Sequence, residues 1–371
     1  MPSIQLTNVT KQWGKFIGVN NLNLYIEDGS FITLLGSSGC GKTTTLRMIA
    51  GLETPTKGEI RFDDKIMFSS EKNINVPAAD RNVGFLFQNY ALWPHMTVYQ
   101  NISFGLETMK WKKNDIQARV QEMLETMQIE QFADRYPAEL SGGQQQRVAI
   151  ARTLAPQPRV LFMDEPLSNL DAKLRGEMRT ELKRLHRDSG STFVYVTHDQ
   201  LEAMTLSSKI CLMNQGVLQQ YAPPLEVYNH PANLFAADFV GNPSMNIIEA
   251  KAEKTAPDTA EISFLGKKAV FHASEAFDLK SSNISVGIRP EYLPINPDGE
   301  MEGMAYSTLP AGMETTVKIK IGDTILSSVV FGAVDYDTDA SIRFSITGSN
   351  ILIFDQESSN YVTHGSLAVA K

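Results

Sequence analysis

The sequence predicts an α/β domain with a mainly parallel sheet over residues 1–235, followed by an all-β domain over residues 236–371. Three observations carry this reading. Continuous apolar runs of strand length (FITLL, RVLFMD and TFVYVTH) recur in the first part, as strands buried on both faces require. Stretches with helical spacing lie between those runs, the pattern of an α/β sheet. After about Ala222 the texture changes to short runs of period two with Gly and Asp at the turns. A length of 371 residues fits two domains.

In chain order, EIRFDDKIMF reads as an early hairpin that adds antiparallel sheet. FITLL is the first buried strand, and TLRMIAGL after it has helical spacing. The polar segment Phe68–Asn82 reads as a surface loop with no assigned role. A helical subdomain is expected over about residues 89–158. Within it, Ile116, Val120, Met123, Leu124 and Met127 fall on one helix face. Leu174, Met178, Leu182 and Leu185 mark a second helix over about 172–187. PPLEVYNHPANLFAADFVGNP is proline-rich and reads as a connector. Beyond it TTVKIKIG, TILSSVVFG, SIRFSITG and ILIFD read as strands, with a tight hairpin at IGDT.

Composition narrows the function. No run approaches the roughly 20 apolar residues of a membrane span, and MPSIQLTNVTKQWGKF lacks the apolar core of a signal peptide. Two cysteines, Cys40 and Cys211, make no disulfide framework and fit a reducing compartment. A cytosolic protein is therefore expected. The net charge of −8 is unevenly spread: residues 1–235 hold 24 acidic and 24 basic residues, residues 236–371 hold 18 and 10. That balance argues against nucleic acid as a partner, which calls for clustered Lys and Arg.

GSSGCGKTT lies in the gap between FITLL and TLRMIAGL. It fits G-x-x-x-x-G-K-[ST] as Gly36, Gly41, Lys42 and Thr43, between strand and helix as a phosphate cradle requires. Consecutive N–H groups from Ser37, Ser38, Gly39, Cys40 and Thr44 would point at phosphate oxygens, and the helix start adds positive charge. Lys42 would reach the β- and γ-phosphates, and the Thr43 hydroxyl would ligate Mg2+. The bland alternative is a flexible glycine turn. In RVLFMDEP a buried strand ends in Asp164, placed to hold Mg2+, and Glu165 follows as a general base for the attacking water. Cys40, beside the helix start, is expected to have a lowered pKa; a structural role is favoured over a redox one, yet alkylation would block activity and bound nucleotide would protect. In LSGGQQQR, Ser141 caps a helix whose Gly142 and Gly143 free the backbone to approach a second anion, although a merely capped helix has the same pattern.

Together these motifs resemble the ATPase subunit of ATP-binding-cassette (ABC) importers, a P-loop NTPase family, and the resemblance runs the length of the chain. It implies ATP and Mg2+ as cofactors. Gln88 in FLFQNYALWPHMTV resembles the Mg2+-sensing glutamine that also contacts the membrane partner. Asp171 in SNLD matches the loop that crosses a dimer interface, and His198 in VYVTHDQ the histidine that bonds the γ-phosphate. Trp13 in KQWGKF sits where an aromatic stacks on adenine. GIRPEYL resembles a hallmark of the C-terminal OB-like regulatory domain of importer ATPases. The resemblance further implies a homodimer that sandwiches two ATP molecules, each site completed by the other copy's Ser141–Gln144. No arginine finger is evident, and the second helix start would supply that charge stabilisation. The implied partners are transmembrane permease subunits at the cytoplasmic face of the membrane and, indirectly, an extracytoplasmic solute-binding protein. Tyr90, Trp93 and Met96 either line the permease groove or belong to the subdomain core. VTHDQLEAMT and LEVYNHPANLFAADFVG are similar to the maltose and multiple-sugar group. Importers of polyamine, iron or another solute, and soluble non-transport ABC ATPases, are the alternatives.

Overall fold

The computed structural model describes residues 2–370. The chain divides into two compact units, Met1–Pro224 and Leu225–Lys371. In the first unit, antiparallel strands β1 (Ile4–Trp13) and β2 (Phe16–Ile26) precede the buried strand β3 (Phe31–Leu35) and helix α1 (Lys42–Ala50). Strands β4 (Lys57–Phe62), β5 (Lys65–Ser69), β6 (Ile74–Asn75) and β7 (Val83–Leu86) follow. Helices α2 (Val98–Thr108), α3 (Lys113–Met127) and α4 (Gly142–Leu154) form the expected helical stretch. The unit continues through β8 (Val160–Asp164), α5 (Ala172–Ser189), β9 (Thr192–Thr197), α6 (Gln200–Leu206), β10 (Lys209–Asn214) and β11 (Val217–Ala222).

Two sheets organise these elements. One is antiparallel in the order β2-β1-β4-β5-β6, and the other runs β11-β10-β3-β9-β8-β7. In the second sheet β10, β3, β9, β8 and β7 are mutually parallel, and only β11 runs against them. Side chains alternate along a strand, so each uninterrupted apolar run feeds two cores. On β9, Val194 and Val196 join Ile32, Leu34, Phe162 and the α1 residues Leu46, Met48 and Ile49 in one buried cluster. Phe193 and Tyr195 join Met163, Ile102, Val120, Val148 and Met178 in the other. Each such side chain contributes about 1.5–3 kcal/mol on burial. Helix α5 buries Met178, Leu182 and Leu185 and ends at Gly190 in the left-handed region, while Asp171 caps its start.

Two local readings change. The segment 68–82 is not only a surface loop: it contains β6 and delivers the buried residue Arg81. Arg81 is 3% exposed and donates to the Met48 and Ile49 carbonyls (2.9 and 2.8 Å), to Val76 O at 2.9 Å and to Asn75 Oδ1 at 3.4 Å. The first two are carbonyls of the last turn of α1; the Gly51 cap amide also reaches Met48 O, whereas Arg81 is the donor to Ile49 O. Burial lowers this guanidinium to about 10, so it remains charged at neutral pH.

The chain also divides earlier than the boundary expected after residue 235. Helices α7 (Pro224–Asn229) and α8 (Leu234–Phe239) occupy the stretch read as a connector. Residues 225–235 go with the second unit because the buried Arg289 of GIRPEYL stacks over Tyr228 and donates to the Tyr228, Ala237 and Val240 carbonyls.

The second unit is otherwise all β. Strands β12 (Asn246–Ala256), β13 (Thr259–Phe264), β14 (Lys267–Ala273) and β15 (Asn283–Ile288) precede β16 (Met301–Pro310), β17 (Glu314–Ile321), β18 (Thr324–Phe331) and β19 (Ser341–Phe344). Strands β20 (Ile351–Asp355) and β21 (Tyr361–Val369) close the chain. The order β12-β13-β14-β21-β20-β15 forms a closed barrel, and β18-β17-β16-β19 a separate sheet. The hairpin at IGDT forms as read, with Ile321 opposite Thr324 and Gly322 at φ 58. Among the described residues no helix is long and apolar enough to cross a membrane.

Replacing Arg81 with Met should strand the Ile49 carbonyl in the interior and weaken the hold on Met48 O. The expected cost is about 2–4 kcal/mol, read from the urea midpoint followed by far-UV circular dichroism.

Candidate active site

The parallel strands β3, β9, β8 and β7 end on the same edge of their sheet, and the loops that follow them carry Gly36, His198, Glu165 and Gln88. The β3 loop needs glycine at two points. A Cβ on Gly36 (φ 153) would lie 2.2 Å from Met213 O, and one on Gly41 (φ 101) 2.5 Å from Gly18 O. Glycine therefore lets the loop fold under the start of α1, leaving its first amides without helical partners.

Lys42 is 5% exposed and folds back over the loop, with Nζ 2.7 Å from Gly36 O and 2.8 Å from Ser37 O. Thr43 Oγ1 donates to Asp164 Oδ1 at 2.7 Å, which joins the α1 start to the end of β8. Arg47, one helical turn beyond Thr43, reaches Asp164 Oδ2 at 3.4 Å. Glu165 adopts φ 46, a conformation rare for a residue with a side chain. Its N–H donates to Val196 O, and its carbonyl accepts the Ser168 hydroxyl and amide. The Glu165 carboxylate lies 3.2 Å from His198 Nδ1.

These groups face a cavity of about 300 Å³ lined by Trp13, Phe16, Gly18, Ser38, Gly39, Gly41, Lys42, Thr43, Thr44 and Glu165. Most of the expected cradle is therefore gathered in one place, and Asp164 and His198 are tied to it through Thr43 and Glu165. Phe16 was not anticipated. It stacks beside Trp13 with ring centroids 6.2 Å apart, across the β1–β2 turn. Two aromatics flanking Gly14–Lys15 were the available signal. Arg47 was also missed, although its four-residue spacing from Thr43 is legible.

Gln88 is exposed on the β7 loop and is not among the cavity residues; its carbonyl accepts from Asn169 Nδ2 at 3.4 Å. Asp171 caps α5 through Leu174 N. Ser141 and Gln144 form a reciprocal capping box at the start of α4, with Ser141 and Gly142 exposed and Gly143 packed on Leu174. None of residues 141–144 lines this chain's own cavity.

A family model described as ABC transporter matches residues 19–168. The maltose/maltodextrin import ATP-binding protein MalK of Escherichia coli (strain K12) is 46% identical over 327 residues, covering 86% of each chain. The MalK protein of Salmonella typhimurium is 45% identical over 325 residues, again with 86% of each chain covered. The chain belongs to the ABC transporter ATP-binding proteins. Among solved structures, the dimeric ATP-binding cassette MJ0796 in a post-hydrolysis state with ADP and Pi superposes with a TM-score of 0.53. It is 33% identical and covers 60% of this chain and 98% of its own.

A second cavity of this ABC ATP-binding protein, about 400 Å³, is lined by Phe85, Phe87, Ala91, Trp93, Arg152 and Pro156, among others. Trp93 sits between Phe104 and Arg152, at 4.4 and 4.8 Å. Arg152 also donates to the Tyr90 and Ala91 carbonyls, both at 2.6 Å, where the backbone takes φ 60 and 48. Of the three residues weighed for a groove, Trp93 lines it. Tyr90 is buried in the helical core, and Met96 is only half-buried and lies outside the lining.

The expected activation of Cys40 is overturned. Its side chain is 3% exposed, and burial pushes the thiol above its ordinary pKa, outweighing the opposing pull of Lys42. Less thiolate is then present at pH 7–9 than in a free cysteine with a pKa of about 8.5. Iodoacetamide labelling of native protein, followed by mass spectrometry, should be slow at Cys40 and still accelerating between about pH 9 and 10; prior unfolding should release it.

Proposed function

We propose that this chain is the ATP-hydrolysing subunit of a carbohydrate importer, bound through a permease to the cytoplasmic face of the membrane. The observation that carries the reading is the 2.7 Å contact of Thr43 with Asp164, which joins the phosphate loop to the carboxylate pair Asp164–Glu165 beside one cavity. Amides of Ser37–Thr44 and the Lys42 ammonium bind the phosphates, Lys42 exchanging loop carbonyls for phosphate oxygens. Trp13, with Phe16 beside it, stacks on the adenine. Thr43 and Asp164, joined at 2.7 Å, offer hydroxyl and carboxylate oxygens suited to Mg2+, and the exposed Gln88 would add an amide oxygen if its loop moved toward the site. When bound, that ion neutralises charge on the phosphate oxygens. Glu165 takes a proton from the attacking water, and His198, oriented by Glu165, donates to the γ-phosphate.

Ser141, Gly142, Gly143 and Gln144 start α4 away from this cavity, so a second copy of the chain supplies them to it. ATP then bridges two copies, with Asp171 at the boundary between them, and hydrolysis releases them. The groove around Trp93 takes a permease segment, since aromatic side chains and arginine are enriched at such contacts. The closed barrel with its added sheet supports an OB-like regulatory and dimerisation role for the second unit. Carbohydrate as the solute rests on the MalK relatives, whose names state maltose/maltodextrin import.

Glu165→Gln should keep ATP affinity within about threefold and lower turnover at least about 100-fold. It should also yield a dimer with ATP on size-exclusion chromatography, and recovery of monomers alone would count against the sandwich. For the solute, vesicles carrying the chain with its permease and binding protein should hydrolyse ATP faster with maltodextrin and not with a polyamine or ferric iron. The opposite preference would replace the carbohydrate reading.

A further inference from the structure

His198 itself is lightly held: its side chain is 59% exposed, and its Nδ1 lies 3.2 Å from Glu165 Oε2. Its two neighbours are not. Thr197 Oγ1 donates at 2.6 Å to Glu202 Oε2 and accepts from Asp199 N at 3.0 Å. Glu202 is 3% exposed, and the same oxygen accepts the hydroxyl of the buried Tyr195 at 2.8 Å. Asp199 caps α6 by accepting from Glu202 N at 3.1 Å. The end of β9 is thus fastened on both sides of the histidine.

Arg175 connects this fastening to a different loop. From the first turn of α5 its Nη2 donates to Leu170 O at 3.0 Å, beside Asp171, and its Nη1 to Asp199 Oδ2 at 3.3 Å, beside His198. Its Nε is buried without a hydrogen-bond partner and stands 4.0 Å from Glu202 Oε1. From α5, Arg175 thus touches both the loop before its own helix (Leu170 O) and the cap of α6 (Asp199), and it keeps one donor just short of the buried carboxylate of Glu202. A shift of Leu170 toward the interior would complete that third contact.

We infer that Arg175 is a positioning residue that transmits the arrival of a second copy at residues 168–171 to His198, and through it to Glu165. This rests on the composite ATP site proposed above. When the loop before α5 is pressed, the guanidinium closes on Glu202, draws Asp199 with it and sets the angle from which His198 meets the phosphate. Contacts to the bound nucleotide's adenine and to the phosphate loop are untouched, so the effect falls on turnover rather than on affinity.

The test is steady-state ATP hydrolysis by the full chain with Arg175→Ala, Asp199→Asn and the double variant. Asn caps a helix as well as Asp does, so Asp199→Asn keeps α6 while removing the charge that Arg175 grips. Each single change should lower kcat about 10- to 100-fold, with KM for ATP within about threefold of the parent. The double variant should be no worse than Arg175→Ala, and Arg175→Lys should recover part of the loss. An unchanged kcat, losses that multiply in the double variant, or a kcat loss matched by a rise in KM would overturn the inference. Should Arg175→Ala fail to fold, Asp199→Asn alone must show the kcat loss, and a normal kcat there overturns it too. Glu165→Gln run alongside separates the two failures. If it turns over normally, the site reading falls and this inference with it; if it is inactive while Arg175→Ala is normal, only the coupling falls.

Discussion

Parallel pairing of β3, β9, β8 and β7 is the constraint on which the site depends. Leu35 lies opposite Thr197, Asp164 opposite Val196, and Leu86 opposite Met163, so the four strands end within a residue or two of one another. The next residues in each loop are Gly36, His198, Glu165 and, shortly after, Gln88. Four distant stretches of sequence therefore arrive on one edge through hydrogen-bond register alone. Adjacent strands lie about 4.8 Å apart, and a slip of one residue would turn every side chain to the other face. The two buried clusters on either face of the sheet penalise such a slip. Ligands at the carboxyl ends of parallel strands follow from the same geometry in other open α/β sheets.

Much of this edge is already under load. Glu165 holds a left-handed conformation that costs on the order of 1–3 kcal/mol. Val196 and Ser168 hold its backbone there. Lys42 is nearly buried, and a buried ammonium must be hydrogen-bonded. The carbonyls of Gly36 and Ser37 meet that need. A bound phosphate would compete with those carbonyls, offering charge where they carry only a dipole. The loop is thus shaped for an anion while its own dipoles stabilise the lysine in the meantime.

What the sequence made legible was local. The glycine loop, the Asp164–Glu165 strand end and the Ser141 cap each occupy a few consecutive residues, and the buried strands announce themselves as unbroken apolar runs. The helix faces of α3 and α5 were legible for the same reason, since period 3.6 survives in a linear text. Cys40 was misread because two effects oppose each other there. The helix start and Lys42 favour thiolate, burial disfavours it, and only the tertiary structure reveals how deep the sulfur sits. Tyr90 was ambiguous in the same way: an aromatic in a polar loop gives no sign that the loop folds inward. The domain boundary moved because Arg289 gathers carbonyls from a segment some 50–60 residues before it, and no periodicity records such a pairing.

That last case is one of three. Arg81 collects the end of α1 and the β5–β6 region, Arg152 the twisted backbone at Tyr90 and Ala91, and Arg289 the α7–α8 segment. In each instance the acceptors are several backbone carbonyls at helix ends or in irregular backbone, gathered by one side chain. Guanidinium offers five donors in a planar fork, so a single side chain can meet several such carbonyls at once and stay charged. Lysine concentrates its donors on one nitrogen and meets only acceptors that converge, as Lys42 does within the phosphate loop. The division of labour follows from side-chain geometry. Around the cavity lysine, hydroxyl and carboxylate groups predominate, while Arg81, Arg152 and Arg289 fix where the surrounding elements begin and end.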